Sequence, residues 1–177
     1  MAKMRERIFQ KIYNSDITQR EINNSIVSRK AAEEGFVLLK NNGVLPIKDK
    51  KNIALYGAGA CKTVKGGWGS GDVNNRNSVN IKEGLENAGY TITTEKWISD
   101  YDDIYEVELE VWQRRCENFK NYNIGKYIVD AVPFIMPVGR PISDEDIINS
   151  NTDVAIYVIS RASGEGADRE NEKGDYL

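Results

Sequence analysis

The sequence contains no histidine, and this absence excludes several catalytic mechanisms. Ser-His-Asp and Cys-His sites need an imidazole as general base, and most zinc sites include histidine ligands. Any acid–base chemistry on this chain must therefore come from carboxylates, Lys, Tyr or Cys. We expect no metal ion and no cofactor.

Cysteine is scarce, and long apolar runs are missing. Cys61 and Cys116 form no C-x-x-C pair and the charged residues 1–13 carry no secretory signal, so we expect reduced thiols and a cytoplasmic location. No stretch approaches the roughly 18 apolar residues that span a bilayer. The net charge of −3 is too balanced to indicate a nucleic acid or an anionic membrane as partner.

Apolar periodicity predicts alternating strands and helices behind an amino-terminal helix. A capping box of Thr18 and Glu21 begins that helix, which we expect to reach about Lys40 and to end at residues 41–43. Short apolar runs predict strands at 52–57, 90–94 and 153–160. Helical spacing predicts helices at 79–88 and 102–122 and a short helix capped by Ser143.

This order of elements predicts an α/β fold. Right-handed crossovers between the strands give a three-layer sandwich, with a mostly parallel sheet and helices on both faces. Doubly wound sheets usually have more than three strands. We therefore expect the sheet to be incomplete in this chain and to continue beyond it.

A glycine-containing segment, residues 56–63, follows the first predicted strand. A dinucleotide fingerprint would need its third glycine where Lys62 stands. A phosphate-binding P-loop would need glycine in place of Cys61 and a helix directly behind it. Both motifs fail at residues they require, so we interpret the segment as a tight turn.

Residues 66–73 read Gly-Gly-Trp-Gly-Ser-Gly-Asp-Val. They follow a predicted strand, and open parallel sheets bind ligands at the carboxyl ends of their strands. Trp68 offers a flat apolar face on which a sugar stacks, and Ser70 offers a hydroxyl that hydrogen-bonds another hydroxyl. Composition alone fits a surface loop with a half-buried Trp equally well.

Residues 161–169 also follow a predicted strand. Glu165 has a glycine on each side, which suits a carboxyl group that projects from a bent backbone to donate a proton. Arg161 and Arg169 could orient this carboxyl group, and Asp168 could pair with either arginine. A solvated charged loop is the alternative interpretation of the same residues.

Four segments together resemble the α/β sandwich domain of glycoside hydrolase family 3. They are residues 33–41 with Leu45-Pro46, the strand at 52–57, the glycine-rich residues 66–73, and the strand at 153–160 with the Gly-Glu-Gly-Ala-Asp-Arg and Lys-Gly-Asp motifs behind it. The resemblance assigns residues 26–177 to this domain, with a helical insertion at 100–140. Residues 1–25 are left as an N-terminal helical extension.

The resemblance implies part of a retaining β-glycosidase, of β-glucosidase or β-xylosidase type, that hydrolyses O-glycosyl bonds of a β-linked glycoside. It places the general acid/base on Glu165 and a sugar contact on Ser70. Trp68 would line the leaving-group side, and Asp168 and Arg169 would support the acid.

In such enzymes a (β/α)₈ barrel supplies the nucleophilic Asp, and the usual order puts the barrel first. Here the sandwich segments begin close to Met1, so the chain either belongs to a family member with inverted domain order or is a fragment. We expect the barrel downstream of this chain and no activity from the chain alone. A non-catalytic sugar-binding or accessory module with the same fold is the alternative.

Overall fold

A computed structural model describes residues 16–48, 51–66, 78–119, 134–163 and 169–172, without the side chains of residues 117–119. The chain divides into two compact units, Met1–Ile47 and Lys48–Leu177. The predicted boundary at residue 26 and the insertion at 100–140 stay predictions. Within the described ranges, no helix is long and apolar enough to cross a membrane.

The first unit contains helix α1 (Gln19–Gly35), which begins with the predicted capping box. The Glu21 N–H donates to Thr18 Oγ1 at 3.3 Å, and the Thr18 N–H donates to Glu21 Oε2 at 2.8 Å. Each side chain thus satisfies a backbone donor that the first helical turn leaves free. None of the residues of α1 is buried.

The predicted end of this helix near Lys40 is wrong. Phe36 already has extended backbone angles, and Gly35, the last residue of α1, is a poor helix former. Asn41, expected to lie in the helix terminator, instead builds a separate turn. Its Oδ1 accepts from the N–H groups of Gly43 and Leu45 at 3.0 and 3.1 Å.

The second unit is built on three parallel strands, as predicted. They are β1 (Asn52–Tyr56), β2 (Thr91–Ile92) and β3 (Ala155–Tyr157), and their order in the sheet is β2-β1-β3. Asn52 pairs with Thr91 on one side of β1, and Leu55 pairs with Ile156 on the other. The central position of β1 explains its apolar sequence, since Ile53, Ala54, Leu55 and Tyr56 are all buried.

Three helices connect and cover these strands: α2 (Ile81–Asn87), α3 (Glu95–Phe119) and α4 (Asp144–Ser150). The chain leaves β1 for β2 through α2, and then returns past β1 to β3 through α3 and α4. Right-handed crossovers in opposite directions place helices on opposite faces of a sheet. The predicted α/β class with helices around a parallel sheet is therefore confirmed.

Helix α3 begins seven residues earlier than predicted, directly after Thr94. The buried Thr94 hydroxyl donates to the Leu55 carbonyl at 2.7 Å and accepts the Leu55 N–H at 2.8 Å. It thereby replaces the β2 backbone opposite Leu55, so the strand can end at Ile92 and the helix can start. Thr94 looks like a strand residue in the sequence because it is β-branched.

An aromatic series packs α3 against β1 and against residues 134–140. Trp97 contacts Tyr56 edge to face at 5.5 Å between ring centroids and stacks on Tyr101 at 5.9 Å. The Trp97 Nε1–H donates to the Arg140 carbonyl at 3.3 Å, and the Tyr101 hydroxyl donates to the Pro137 carbonyl at 3.2 Å. Both polar atoms of these buried rings are thus satisfied.

Arg140 joins α3 to α4. Its guanidinium binds the Asp146 carboxylate with two hydrogen bonds of 2.6 and 2.7 Å and the Asp100 carboxylate with one of 2.8 Å. Asp146 also forms the capping box of α4 with Ser143, which confirms Ser143 as the predicted cap. The Arg140 hydrogen bond and the Ser143 N–H hold the pKa of Asp146 well below its usual range.

Candidate functional site

The carboxyl ends of β1 and β3 lie side by side, and an open cleft of about 230 Å³ separates the segments that follow them. One wall comes from the turn behind β1 and the start of α2, and the other from the residues behind β3. The lining residues are Gly59, Thr63, Val64, Ile81, Val158, Ile159, Ser160 and Arg161. Ligands of open α/β sheets bind at this kind of position, outside the carboxyl ends of neighbouring strands.

Two glycines let the turn behind β1 lie directly against Val158, the residue that follows β3. Gly57 has φ +96°, and a Cβ atom there would lie 2.3 Å from the Val158 carbonyl oxygen. At Gly59 a Cβ atom would lie 2.6 Å from Val158 Cγ1. The Gly59 N–H donates to the Val158 carbonyl at 3.3 Å. These contacts fix the distance between the two walls of the cleft.

The interpretation of residues 56–63 as a tight turn agrees with this geometry. The Ala60 N–H donates to the Gly57 carbonyl at 3.1 Å, and no helix begins between residues 57 and 66. The Lys62 ammonium lies 3.2 Å from Asp102 Oδ1, 3.7 Å from Glu106 Oε1 and 4.5 Å from the ring centroid of Tyr105. This cation is bound by α3, so it does not serve as a phosphate-binding lysine.

The surroundings of Cys61 favour its neutral thiol form. Burial and the neighbouring Asp102 carboxylate raise the pKa of the Cys61 thiol. Burial lowers the pKa of Lys62, but the hydrogen bond to Asp102 and the charges of Asp102 and Glu106 together outweigh it, and the net pKa is raised. The thiol therefore stays protonated at neutral pH and the ammonium stays charged.

Thr63 ties the turn behind β1 to the start of α2. Its hydroxyl donates to the Gly59 carbonyl at 2.7 Å and accepts the Ile81 N–H at 3.0 Å. The Lys82 N–H donates to the Ala60 carbonyl at 3.0 Å. In the sequence, Thr63 is visible only as the last residue of the failed P-loop motif at 56–63, and its link to Ile81 carries no local sequence signal.

The structure describes both arginines of the predicted acid segment, Arg161 and Arg169, and Arg169 makes a hydrogen bond across the segment. Its Nη1–H donates to the Ala162 carbonyl at 3.0 Å, so the two ends of the segment that contains the Gly-Glu-Gly motif lie together. Ala162 directly follows Arg161, which lines the cleft. The segment of Glu165 therefore begins at the same cleft as the segment of Ser70.

The other predicted site residues, Trp68, Ser70, Glu165 and Asp168, lie outside the described residues. Their roles stay predictions. The structure instead brings together the residues that flank them, Thr63 and Val64 on one wall and Ser160 and Arg161 on the other. Among the described residues, no group of three or more carboxylate or thiol side chains is placed to hold a metal ion.

These features define a parallel α/β domain with a cleft at the carboxyl edge of its sheet, between two adjacent strands. Comparison with known proteins identifies the family within this fold class. The model of the glycosyl hydrolase family 3 C-terminal domain matches residues 36–175, and the chain belongs to this family.

Two curated relatives are β-glucosidases. The chain is 34% identical over 148 residues to β-glucosidase A of Butyrivibrio fibrisolvens, a match that covers 81% of this chain and 16% of that protein. It is 29% identical over 155 residues to a β-glucosidase of Ruminococcus albus, covering 84% of this chain and 15% of that protein. The chain thus spans about one-sixth of the length of these relatives.

Solved structures of β-glucosidase 3B from Thermotoga neapolitana share the fold. The complex with α-D-glucose superposes with a TM-score of 0.61 at 34% identity, covering 88% of this chain and 20% of that one. The complex with glycerol gives 0.59 at 32% identity with the same coverage. The fold that the resemblance implied is therefore confirmed.

Proposed function

We propose that this chain supplies the general acid/base segment of a retaining β-glycosidase, of β-glucosidase or β-xylosidase type. A catalytic barrel outside this chain supplies the nucleophilic Asp. The observation that carries the proposal is the family match, which runs from residue 36 to residue 175 and so includes both candidate segments. The two curated relatives, each named a β-glucosidase, support the substrate class.

The arrangement of the cleft supports the proposal independently of what the relatives are called. Ser70 and Glu165 belong to different segments, more than ninety residues apart in sequence. Both segments leave the sheet at the same edge, and Gly59 contacts Val158 at the point where they diverge. Two such segments can reach the same ligand from two sides.

The chemistry follows from the roles of two carboxyl groups. A retaining glycosidase needs an acid and a nucleophile about 5 to 5.5 Å apart. Glu165 protonates the departing glycosidic oxygen while the barrel Asp attacks the anomeric carbon. Glu165 then removes a proton from the water that releases the sugar. Glu165 must be protonated for the first step, which requires a raised pKa.

Four further residues complete the proposed site. Ser70 hydrogen-bonds a sugar hydroxyl, and Trp68 lines the leaving-group side. Asp168 and Arg169 keep the segment of Glu165 in place, and the bond from Arg169 to the Ala162 carbonyl supports this role. The partner is a β-linked glycoside, with no metal ion or cofactor in the reaction.

Kinetics with two leaving groups test the proposal. The full-length protein is assayed on aryl β-glucosides with a good and a poor leaving group, as wild type and as Glu165→Ala. We expect a loss of about 10²- to 10⁴-fold on the poor leaving group and much less on the good one, since only the former needs a proton. Added azide should restore turnover and give the β-glucosyl azide.

Glu172→Ala is the matched control, since Glu172 is an exposed carboxylate close behind the same segment. It should behave like wild type on both substrates. An equal loss on both substrates in Glu165→Ala, or no loss, would reject Glu165 as the acid.

A non-catalytic sugar-binding module is the second candidate. The open cleft at the sheet edge fits a binding role without chemistry. This alternative predicts a full-length protein that binds glucosides without hydrolysing them, and Glu165→Ala would then leave the binding constant unchanged.

A further inference from the structure

The turn of residues 41–45 contains the one Asn-Gly dipeptide of the sequence, Asn42-Gly43. Asparagine followed by glycine is the sequence context most open to deamidation, because glycine has no Cβ atom to obstruct the approach of its nitrogen to the preceding side chain. Asn42 and Gly43 are both exposed. Water and hydroxide can therefore reach the two groups that would react.

Asn41 holds the backbone proton on which this reaction depends. Its Oδ1 accepts the Gly43 N–H at 3.0 Å and the Leu45 N–H at 3.1 Å, and its Nδ2–H donates to the Leu45 carbonyl at 2.7 Å. A hydrogen bond that only the protonated form of a group can donate favours that form. The Asn41 carboxamide therefore opposes removal of the Gly43 proton.

We propose that Asn42 is a deamidation site of this protein and that Asn41 restrains the reaction in the folded state. Hydroxide removes the Gly43 amide proton, and the nitrogen attacks the Asn42 Cγ atom. The new N–Cγ bond closes a succinimide ring, and the Cγ–Nδ2 bond breaks as ammonia leaves with a proton from water. Water then opens the ring at either carbonyl. In sum, the amide and water give ammonium and the carboxylate of aspartate or isoaspartate.

The inference goes beyond the proposed function, because it concerns no residue of the cleft or of the acid segment. Either product carries one more negative charge than the original chain. Isoaspartate also routes the main chain through the former side-chain carbon, which adds one backbone atom before Gly43. The Gly43 and Leu45 N–H groups then lose their register with Asn41 Oδ1, so the modification opens the turn that restrained it.

Ageing of the full-length protein in mildly alkaline buffer tests the proposal. Peptide mass spectrometry and isoaspartate labelling follow residue 42 in the wild type and in Asn41→Ala. We expect Asn41→Ala to deamidate about tenfold faster at Asn42, the factor that corresponds to roughly one hydrogen bond. Both rates should rise with pH, since hydroxide removes the proton. Equal rates in the two proteins would overturn the role of Asn41.

Urea separates the folded turn from the local sequence. In concentrated urea the hydrogen bond is lost, so the wild type and Asn41→Ala should deamidate at equal rates, both faster than the folded wild type. Asn42 should then react ahead of Asn24, which precedes a serine. A difference between the variants that persists in urea would overturn the restraint by the fold. A slower reaction at Asn42 than at Asn24 would overturn the site.

Asn41→Asp is the matched variant, because it keeps an acceptor oxygen for the Gly43 and Leu45 N–H groups and loses the donor to the Leu45 carbonyl. Its rate at Asn42 should stay within about threefold of the wild type. A rate as high as that of Asn41→Ala would overturn the role of the acceptor. Amide exchange at Gly43 begins with the same proton, so Asn41→Ala should accelerate it by a similar factor. Unchanged exchange there would also overturn the proposal.

Discussion

Gly59 and Val158 lie in direct contact between the two walls of the cleft. The Gly59 N–H donates to the Val158 carbonyl at 3.3 Å, and a Cβ atom on Gly59 would lie 2.6 Å from Val158 Cγ1. The obstacle at Gly59 is thus a side chain. At Gly57 the obstacle is the Val158 backbone, and the positive φ of +96° adds a conformational cost.

Because the obstacles differ, we expect alanine at Gly59 and alanine at Gly57 to destabilise the domain in different ways. Gly59→Ala should lower the free energy of unfolding by about 1–3 kcal/mol through overpacking. Val158→Ala should restore part of that loss in the double variant, because it removes the obstructing Cγ1. Gly57→Ala should cost more, and Val158→Ala should not rescue it. Urea unfolding of the three single variants, the two double variants and the wild type measures these values, and rescue of Gly57→Ala would contradict the structure.

The Thr94 hydroxyl supports a second prediction. Thr94→Val leaves both the Leu55 N–H and the Leu55 carbonyl without the partner that the hydroxyl provides at 2.8 and 2.7 Å. Burying unsatisfied backbone groups costs about 1–3 kcal/mol each. We expect a total loss of about 2–4 kcal/mol in urea unfolding. Thr94→Ser keeps the hydroxyl and should lose less than half as much; similar losses in both variants would instead point to the methyl group.

Acid stability should depend on Asp146. Its pKa is lowered in the folded state by Arg140 and by the Ser143 N–H. A lowered pKa stabilises the fold above the unfolded value of about 3.9, and this stabilisation is lost as the pH falls below it. The Tm of the wild type should therefore drop below about pH 4. Asp146→Asn should have a lower Tm at neutral pH and a shallower decline in acid.

Asp144→Asn is the control for this measurement, since Asp144 is an exposed carboxylate of the same helical turn. Its Tm should follow the wild-type curve from neutral to acid pH. The same shallow decline in both variants would show that general charge at the start of α4 matters, and that the Arg140 contact does not.

Arg169 gives a kinetic prediction for the proposed enzyme. Its Nη1–H donates to the Ala162 carbonyl at 3.0 Å and brings together the ends of the segment that contains Glu165. Loss of this bond should misplace the acid, and small misplacements of a catalytic group cost up to about 10²-fold. Arg169→Met should therefore lower kcat about tenfold more for poor than for good leaving groups. Equal losses on the two substrates would exclude a role in positioning the acid.

Local signals in the sequence predicted the outline of the fold. The apolar run of β1 and the caps at Thr18 and Ser143 are each readable from a few neighbouring residues, and the structure has all three. The predicted start of α3 is wrong by seven residues, because the role of Thr94 depends on its hydrogen bonds to Leu55, 39 positions away. No window along the chain shows that relation.

The sequence predicts a candidate site next to its glycine-containing segments. It does not predict which contacts require those glycines. Glycines at 57 and 59 are visible in the sequence, and they invite comparison with nucleotide-binding motifs. Glycine is needed at both positions because a Cβ atom would collide with Val158, about a hundred positions later in the sequence. Trp68, Ser70, Glu165 and Asp168 came from the family resemblance, and the kinetics of Glu165→Ala test the catalytic assignment directly.

The strand order has a consequence for how the domain forms. Strand β1 pairs with β2 through Asn52 and Thr91, 39 positions apart, but with β3 through Leu55 and Ile156, 101 positions apart. Longer chain closures cost more entropy and slow folding. We expect the β1–β2 hydrogen bonds to become protected first during refolding. The cleft then assembles last, when β3 arrives beside a strand already made.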